Sequence, residues 1–383
     1  MNRSSKPALI FLAVILLCPA LVQAETLAML NYESKKGNPI RQEGISVIDV
    51  DPNSSTYGQT LMDIPLPHNL VAHHIFYNRD ATKAYVTALG KSELRVIDMM
   101  RFPYRMKVVE VPGCRQGEDI IFSNDNKTWY LTCMGSQRVV VGDAIADKPT
   151  RTIELPKPYP HGIAVHDGID RLLVTSTVRP SDLGDAGETI TVIEASSGKI
   201  LSTHKVSTKA SPSGEAPVEI LFKPGSNPPM AYITNMYGST LWTATWDSAK
   251  KDFVVKIAVD FAEHNVGIPL EMYFNKAVDR LYVTTAKPGS LHVFDISENP
   301  QKPKLLETLP AGAGAHHVAF TKDWSYAYVQ NALLNLPGLS EGSITVIDLQ
   351  KKTVVGNIDT FNAKGLNPNC MVLLPEWNNP AGH

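Results

Sequence analysis

The chain has 383 residues, 43% hydrophobic and 19% charged, a globular composition that excludes a disordered or collagen-like polymer. Its formal charge is −2, from 36 Lys plus Arg against 38 Asp plus Glu, so it lacks the basic field that nucleic acid or an anionic membrane surface requires. The 25 Gly and 27 Pro are scattered, which implies many turns rather than long helices.

In chain order, residues 1–24 read as a cleaved export signal. Arg3 and Lys6 make a basic start, Ala8 to Leu17 is apolar, and Val22-Gln-Ala24 is a small-residue cleavage site. The apolar run is too short to cross a bilayer, and no later segment reaches the roughly 20 apolar residues a span needs. The expectation is a periplasmic protein whose single domain occupies 25–383, with no membrane span. Export permits disulfides. Cys114 and Cys133 flank one predicted hairpin and are placed to pair, which leaves Cys370 as the free thiol.

After the signal, Thr26–Asn31 and Ile45–Asp49 read as two strands of a sheet that lacks its first member. From there a three-strand unit repeats. Its first strand is an apolar triplet: Ile75-Phe-Tyr77, Ile120-Ile-Phe122, Ile163-Ala-Val165, Ile220-Leu-Phe222, Met272-Tyr-Phe274 and Val318-Ala-Phe320. The second carries a signature of the Ala84-Tyr-Val-Thr87 kind, seen again at Trp129–Thr132, Leu172–Thr175, Ala231–Asn235, Leu281–Thr284 and Ala327–Asn331. The third alternates Val, Ile and Thr and ends in an acid, as in Ser92–Asp98 and Ser343–Asp348. Period-two alternation of β-branched residues means strands. The residues preceding the triplets are 74, 119, 162, 219, 271 and 317, at spacings of 45, 43, 57, 52 and 46. That is the size of a propeller blade. Cys370–Leu374 closes the chain as a first strand with no followers. The two ends then complete one blade, and the fold is an all-β, seven-bladed β-propeller locked by its terminal strands. Tyr85 and Trp129, on signature strands, are expected between blades.

Superposing the units stacks the two residues before each triplet. They are His73-His74, Glu118-Asp119, His161-Gly162, Val218-Glu219, Leu270-Glu271, His316-His317 and Asn369-Cys370. First strands line the channel of a propeller, so these doublets converge on one mouth. Five of the 11 His fall there, with four carboxylates and one Cys. Imidazole, carboxylate and thiolate are the ligands of first-row metals. His74, His317 and His161 are the favoured ligands, completed by His73, His316 or Cys370. Glu118, Asp119, Glu219 and Glu271 are read as the carboxylates that hold the imidazoles. Neighbouring strand residues point to opposite faces, so one His of each pair is expected to reach the metal. His166, His204, His264 and His292 are expected at the surface. Long excursions at Arg179–Gly187 and Leu333–Glu341 are expected to shape one face.

The repeated signature, as in Ala84–Thr87 and Leu281–Thr284, resembles the exported propellers known for a YVTN repeat. A more distant similarity is to the selenium-binding protein and methanethiol oxidase family. It is carried by His73-His74, Pro217-Val-Glu-Ile-Leu-Phe222, Pro269-Leu-Glu-Met-Tyr-Phe274 and Phe294–Pro303. That resemblance implies copper and oxidation of a small thiol or similar substrate. The alternative is a non-catalytic platform for a protein, peptide or glycan. A lactonase-type hydrolase ranks behind both, because a His-rich ring suits a softer metal than Ca²⁺.

Overall fold

The computed structural model describes residues 25–38 and 40–380. The segment read as an export signal lies outside them. The described residues form seven antiparallel sheets of four strands, each running outward in sequence order except the last. Blade one is Ala72–Tyr77, Lys83–Ala88, Glu93–Asp98 and Arg105–Glu110. The inner strands of the next five blades are Gly117–Phe122, Pro160–His166, Pro217–Phe222, Gly267–Phe274 and Ala315–Phe320. Blade seven takes its inner strand from the C-terminus, Leu366–Leu373, and the other three from the N-terminus, Leu27–Ser34, Glu43–Asp49 and Thr60–Pro65. Its closing pairs include Ala28 with Leu373 and Asn31 with Cys370. The expected ring closure is thereby realised.

Apolar residues of the repeat bury themselves between blades, not within them. Tyr85 and Leu94 of blade one pack with Ile120 and Trp129 of blade two. Met29 and Ile45 of blade seven meet Ile75 and Val86 of blade one across the closure. Each such side chain contributes about 1.5–3 kcal/mol when fully buried. Outer strands alternate exposed with part-buried residues, as in Lys148–Glu154, because only one of their faces has a neighbour. Cys114 and Cys133 form a disulfide and Cys370 is a buried free thiol. No helix of the described residues is long and apolar enough to cross a membrane.

One residue expected at the surface is buried. His292 is 1% exposed, not at the surface. Its strand, Gly289–Asp295, is the third of blade five and is covered on both faces. Thr285 and Thr308 hydroxyls lie 2.9 and 3.1 Å from its two ring nitrogens.

Candidate metal centre

A bulge sits at the doublet of every inner strand. In blade one Ala72 pairs with Ala88 and Ile75 with Val86, so His73 and His74 together face Thr87 alone. The same register shift brackets the doublets of the next five blades, and in blade seven it skips Asn369 while Cys370 pairs with Asn31. An inserted residue breaks the up-down alternation. Both members of each His pair therefore turn toward the channel, and the up-down alternation of a regular strand does not hold there. His73 and His74 stack with ring centroids 4.0 Å apart, and His316 and His317 lie 4.1 Å apart.

The threonine of the signature strand holds the bulge. Thr87 Oγ1 accepts the His74 amide at 3.1 Å, Thr132 that of Asp119 at 3.0 Å, Thr234 that of Glu219 at 3.2 Å and Thr284 that of Glu271 at 3.1 Å. Gln330 does this for His317 and Asn31 for Cys370. Several also donate to the next blade, as Thr132 does to the His161 carbonyl and Thr234 to that of Leu270. Asn31 donates to the carbonyl of His73. Blade three needs glycine here for another reason. A Cβ on Gly162 would lie 2.3 Å from the Val218 carbonyl oxygen.

The doublets make two layers. His73, Glu118, His161 and His316 line a cavity of about 680 Å³ at the mouth. His74, Asp119, Glu219, Glu271 and His317 lie beneath them, each 4% exposed or less. Carboxylates and imidazoles interleave: His73 Nε2 is 3.0 Å from Glu118 Oε2, and His74 Nδ1 is 3.0 Å from Asp119 Oδ1. His161 Nδ1 is 3.1 Å from Glu219 Oε1. Glu271 Oε1 lies 3.3 Å from His316 Nε2 and 3.8 Å from His317 Nδ1.

Three groups bring ligand atoms within 4.8 Å of one another and could hold a metal ion: His74 with His316 and His317, His73 with His74 and Glu118, and Asp119 with His161 and Glu219. All nine of the sequence-derived His and carboxylate positions except Glu271 fall in these groups, and Glu271 contacts two of their members. Cys370 is in none of them among the described residues. Its thiol faces the Ile75 carbonyl at 3.7 Å, and burial pushes its pKa well up, which disfavours thiolate.

The electrostatics favour a cation. Burial, with His73 next, holds His74 well below the usual histidine pKa. Burial also lowers His317, against the pull of Glu271 and with help from His316. Both rings are neutral at pH 7 and keep a lone pair for a ligand bond. Burial alone would raise the Glu118 carboxyl, but His73 and His161 beside it bring it down to about 2. The His74 and His317 Nε2 atoms are buried and have no hydrogen-bond partner among the described residues.

Sequence reading missed two things. One is the threonine clamp, although its signal is legible: the clamp follows its doublet residue by 13 positions in blades one, two, five and six. The other is the cavity rim, where Glu33, Lys35 and Arg41 come from blade seven. The excursions 179–187 and 333–341 do reach this rim, through Leu183, Leu336 and Leu339 among others.

No family model matches the chain, and no curated protein does. Solved structures match in shape. A hypothetical selenium-binding protein from Sulfolobus tokodaii superposes with a TM-score of 0.75 at 15% identity, over 92% of this chain and 94% of that one. A functionally unknown protein from Desulfotomaculum acetoxidans gives 0.64 at 15% identity, over 91% and 98%. Kuenenia stuttgartiensis hydrazine synthase gives 0.60 at 13% identity, over 80% and 91%. At these identities the likeness is one of fold: the chain is a seven-bladed propeller, a fold it shares with a selenium-binding-type protein.

Proposed function

We propose that this chain is an exported periplasmic protein, its mature domain 25–383, that binds copper through His74, His316 and His317 and oxidises a small thiol or similar substrate in the cavity above. The observation that carries the reading is the pair of buried Nε2 atoms on His74 and His317, whose rings lie 4.6 Å apart and whose Nε2 atoms have no other partner among the described residues. Leaving such groups unpaired costs about 1–3 kcal/mol each, and a metal removes that cost. Imidazole donors suit copper, which when bound supplies one-electron redox chemistry.

The protein's own contribution is placement. Asp119 accepts from His74 Nδ1, which fixes the tautomer that presents Nε2. Glu271 stands in the same relation to His317, at longer range. The bulge clamps fix the backbone beneath both rings. At about 680 Å³ the cavity is within the roughly 300–1,000 Å³ of small-molecule sites.

The test is metal content of protein exported to the periplasm and purified without chelator, wild type against the double variant His74→Ala/His317→Ala. About one copper per chain, lost in the double variant, supports the reading and leads to thiol-oxidation assays. No metal in either protein, with copper titration also silent, would overturn it and leave the cavity as a platform for a peptide, glycan or protein.

A further inference from the structure

We propose a second metal site in the same channel, harder in its donors, formed by Asp119, His161 and Glu219. It builds on the reading of His74, His316 and His317 as the copper ligands. The two sets share no residue. The ligand atoms of Asp119, His161 and Glu219 come within 4.8 Å of one another. Asp119 and Glu219 are 2% and 1% exposed. Asp119 uses Oδ1 for His74, while its Oδ2 is buried with no hydrogen-bond partner among the described residues.

One ion does not serve both sets. His74 Nδ1 is taken by Asp119, while its Nε2, at the other edge of the ring, has no hydrogen-bond partner among the described residues. An ion bonded to Nε2 at about 2.0 Å faces away from Asp119. The donors differ as well: three imidazoles in one set, one imidazole and two carboxylates in the other. Nitrogen-rich sets take copper or zinc, whereas carboxylate donors suit harder ions such as Mn²⁺. Glu118 lies between the sets, with Oε2 toward His73 and His74 and Oε1 3.8 Å from His161 Nε2. The channel thus has the donors for a mixed pair, with His74 and Asp119 as the link.

Mn²⁺ is the probe. Copper-loaded full-length protein is titrated with MnCl2, and bound Mn²⁺ is counted by paramagnetic resonance and elemental analysis. The expected result is one Mn²⁺ per chain beside the copper. Glu219→Gln and His161→Ala should each weaken Mn²⁺ by roughly ten- to a hundredfold and leave copper at the wild-type level. His317→Ala should lose copper and keep Mn²⁺. Two variants are used because Glu219 is buried, whereas His161 borders the cavity and tolerates truncation. Failure of copper-loaded protein to take Mn²⁺ overturns the second site, as does displacement of one metal by the other, and both leave the copper centre standing. Mn²⁺ uptake that depends on Glu219, in protein that takes no copper, supports the second site and sinks the copper reading instead.

Discussion

His74 and His292 are both 1% exposed, and both imidazoles are held below the ordinary histidine pKa by burial. They differ in what their nitrogens meet. His292, in blade five away from the axis, has a threonine hydroxyl at each nitrogen. His74, on the axis, has a carboxylate at Nδ1 and nothing at Nε2 among the described residues. A buried neutral histidine with both nitrogens matched is a piece of scaffold. One left half-matched, with another like it 4.6 Å away, keeps a nitrogen that could take a ligand. Burial and pKa do not tell them apart; the count of satisfied atoms does.

The sharpest way to break this comparison is to truncate each ring. His74→Ala is expected to lower metal affinity by more than about a hundredfold with the fold intact. His292→Ala should leave metal content unchanged and cost about 3 kcal/mol of stability, from two stranded hydroxyls and a cavity. Metal analysis and urea unfolding of both variants decide it, and the idea fails if the two phenotypes coincide.

Acid should expose His292 next. Burial, then His264, lowers its pKa to about 4 from 6.5. The unfolded ring takes up a proton below 6.5 that the folded ring refuses, so the stability it supports is complete above that pH and drains as pH falls toward 4. Between pH 7.5 and 5 this amounts to about 2 kcal/mol. The stability gap between wild type and His292→Ala should narrow by that much in chemical unfolding of metal-free protein. A constant gap would show that the ring titrates normally.

Smaller effects sharpen the axial side. Asp119→Asn keeps the shape beside His74 and removes the charge, so metal affinity at His74 should fall about tenfold. Unchanged affinity would mean that the carboxylate does not orient the ring. Thr87→Val leaves the His74 amide without its acceptor and should cost about 1 kcal/mol, measured as a shift in unfolding midpoint. The matching change at Thr308, which touches His292 but no doublet, should leave metal binding untouched.

The repeat made the architecture legible. Seven copies of one alternating pattern imply seven sheets, and two incomplete ends of complementary type imply one shared blade. Superposing the doublets also brings the imidazoles and carboxylates together, because equivalent residues in a closed ring must share a radius. What the pattern hid was local backbone geometry. A bulge leaves no mark on alternation when it falls between two polar residues, so His73 and His74 read as opposite-facing although both enter the channel. Cys370 belongs to the ring by register, yet its thiol faces the Ile75 carbonyl. His292 lies on a third strand; the covering Phe261 at 5.7 Å comes from a short 3-10 turn, Phe261–His264, that no periodicity announces.

Closure by the two ends of the chain also sets an order in time. Asn31 grips the carbonyls of Ala72 and His73 in blade one and accepts the amide of Cys370, the latter made more than 300 residues later. Until Leu366–Leu373 is made, Leu27–Ser34 lacks the partner of one edge, and the clamp of Asn31 on the Cys370 amide is missing. The last inner strand therefore sets when the ring can shut, because the final blade has no inner strand until Leu366–Leu373 arrives.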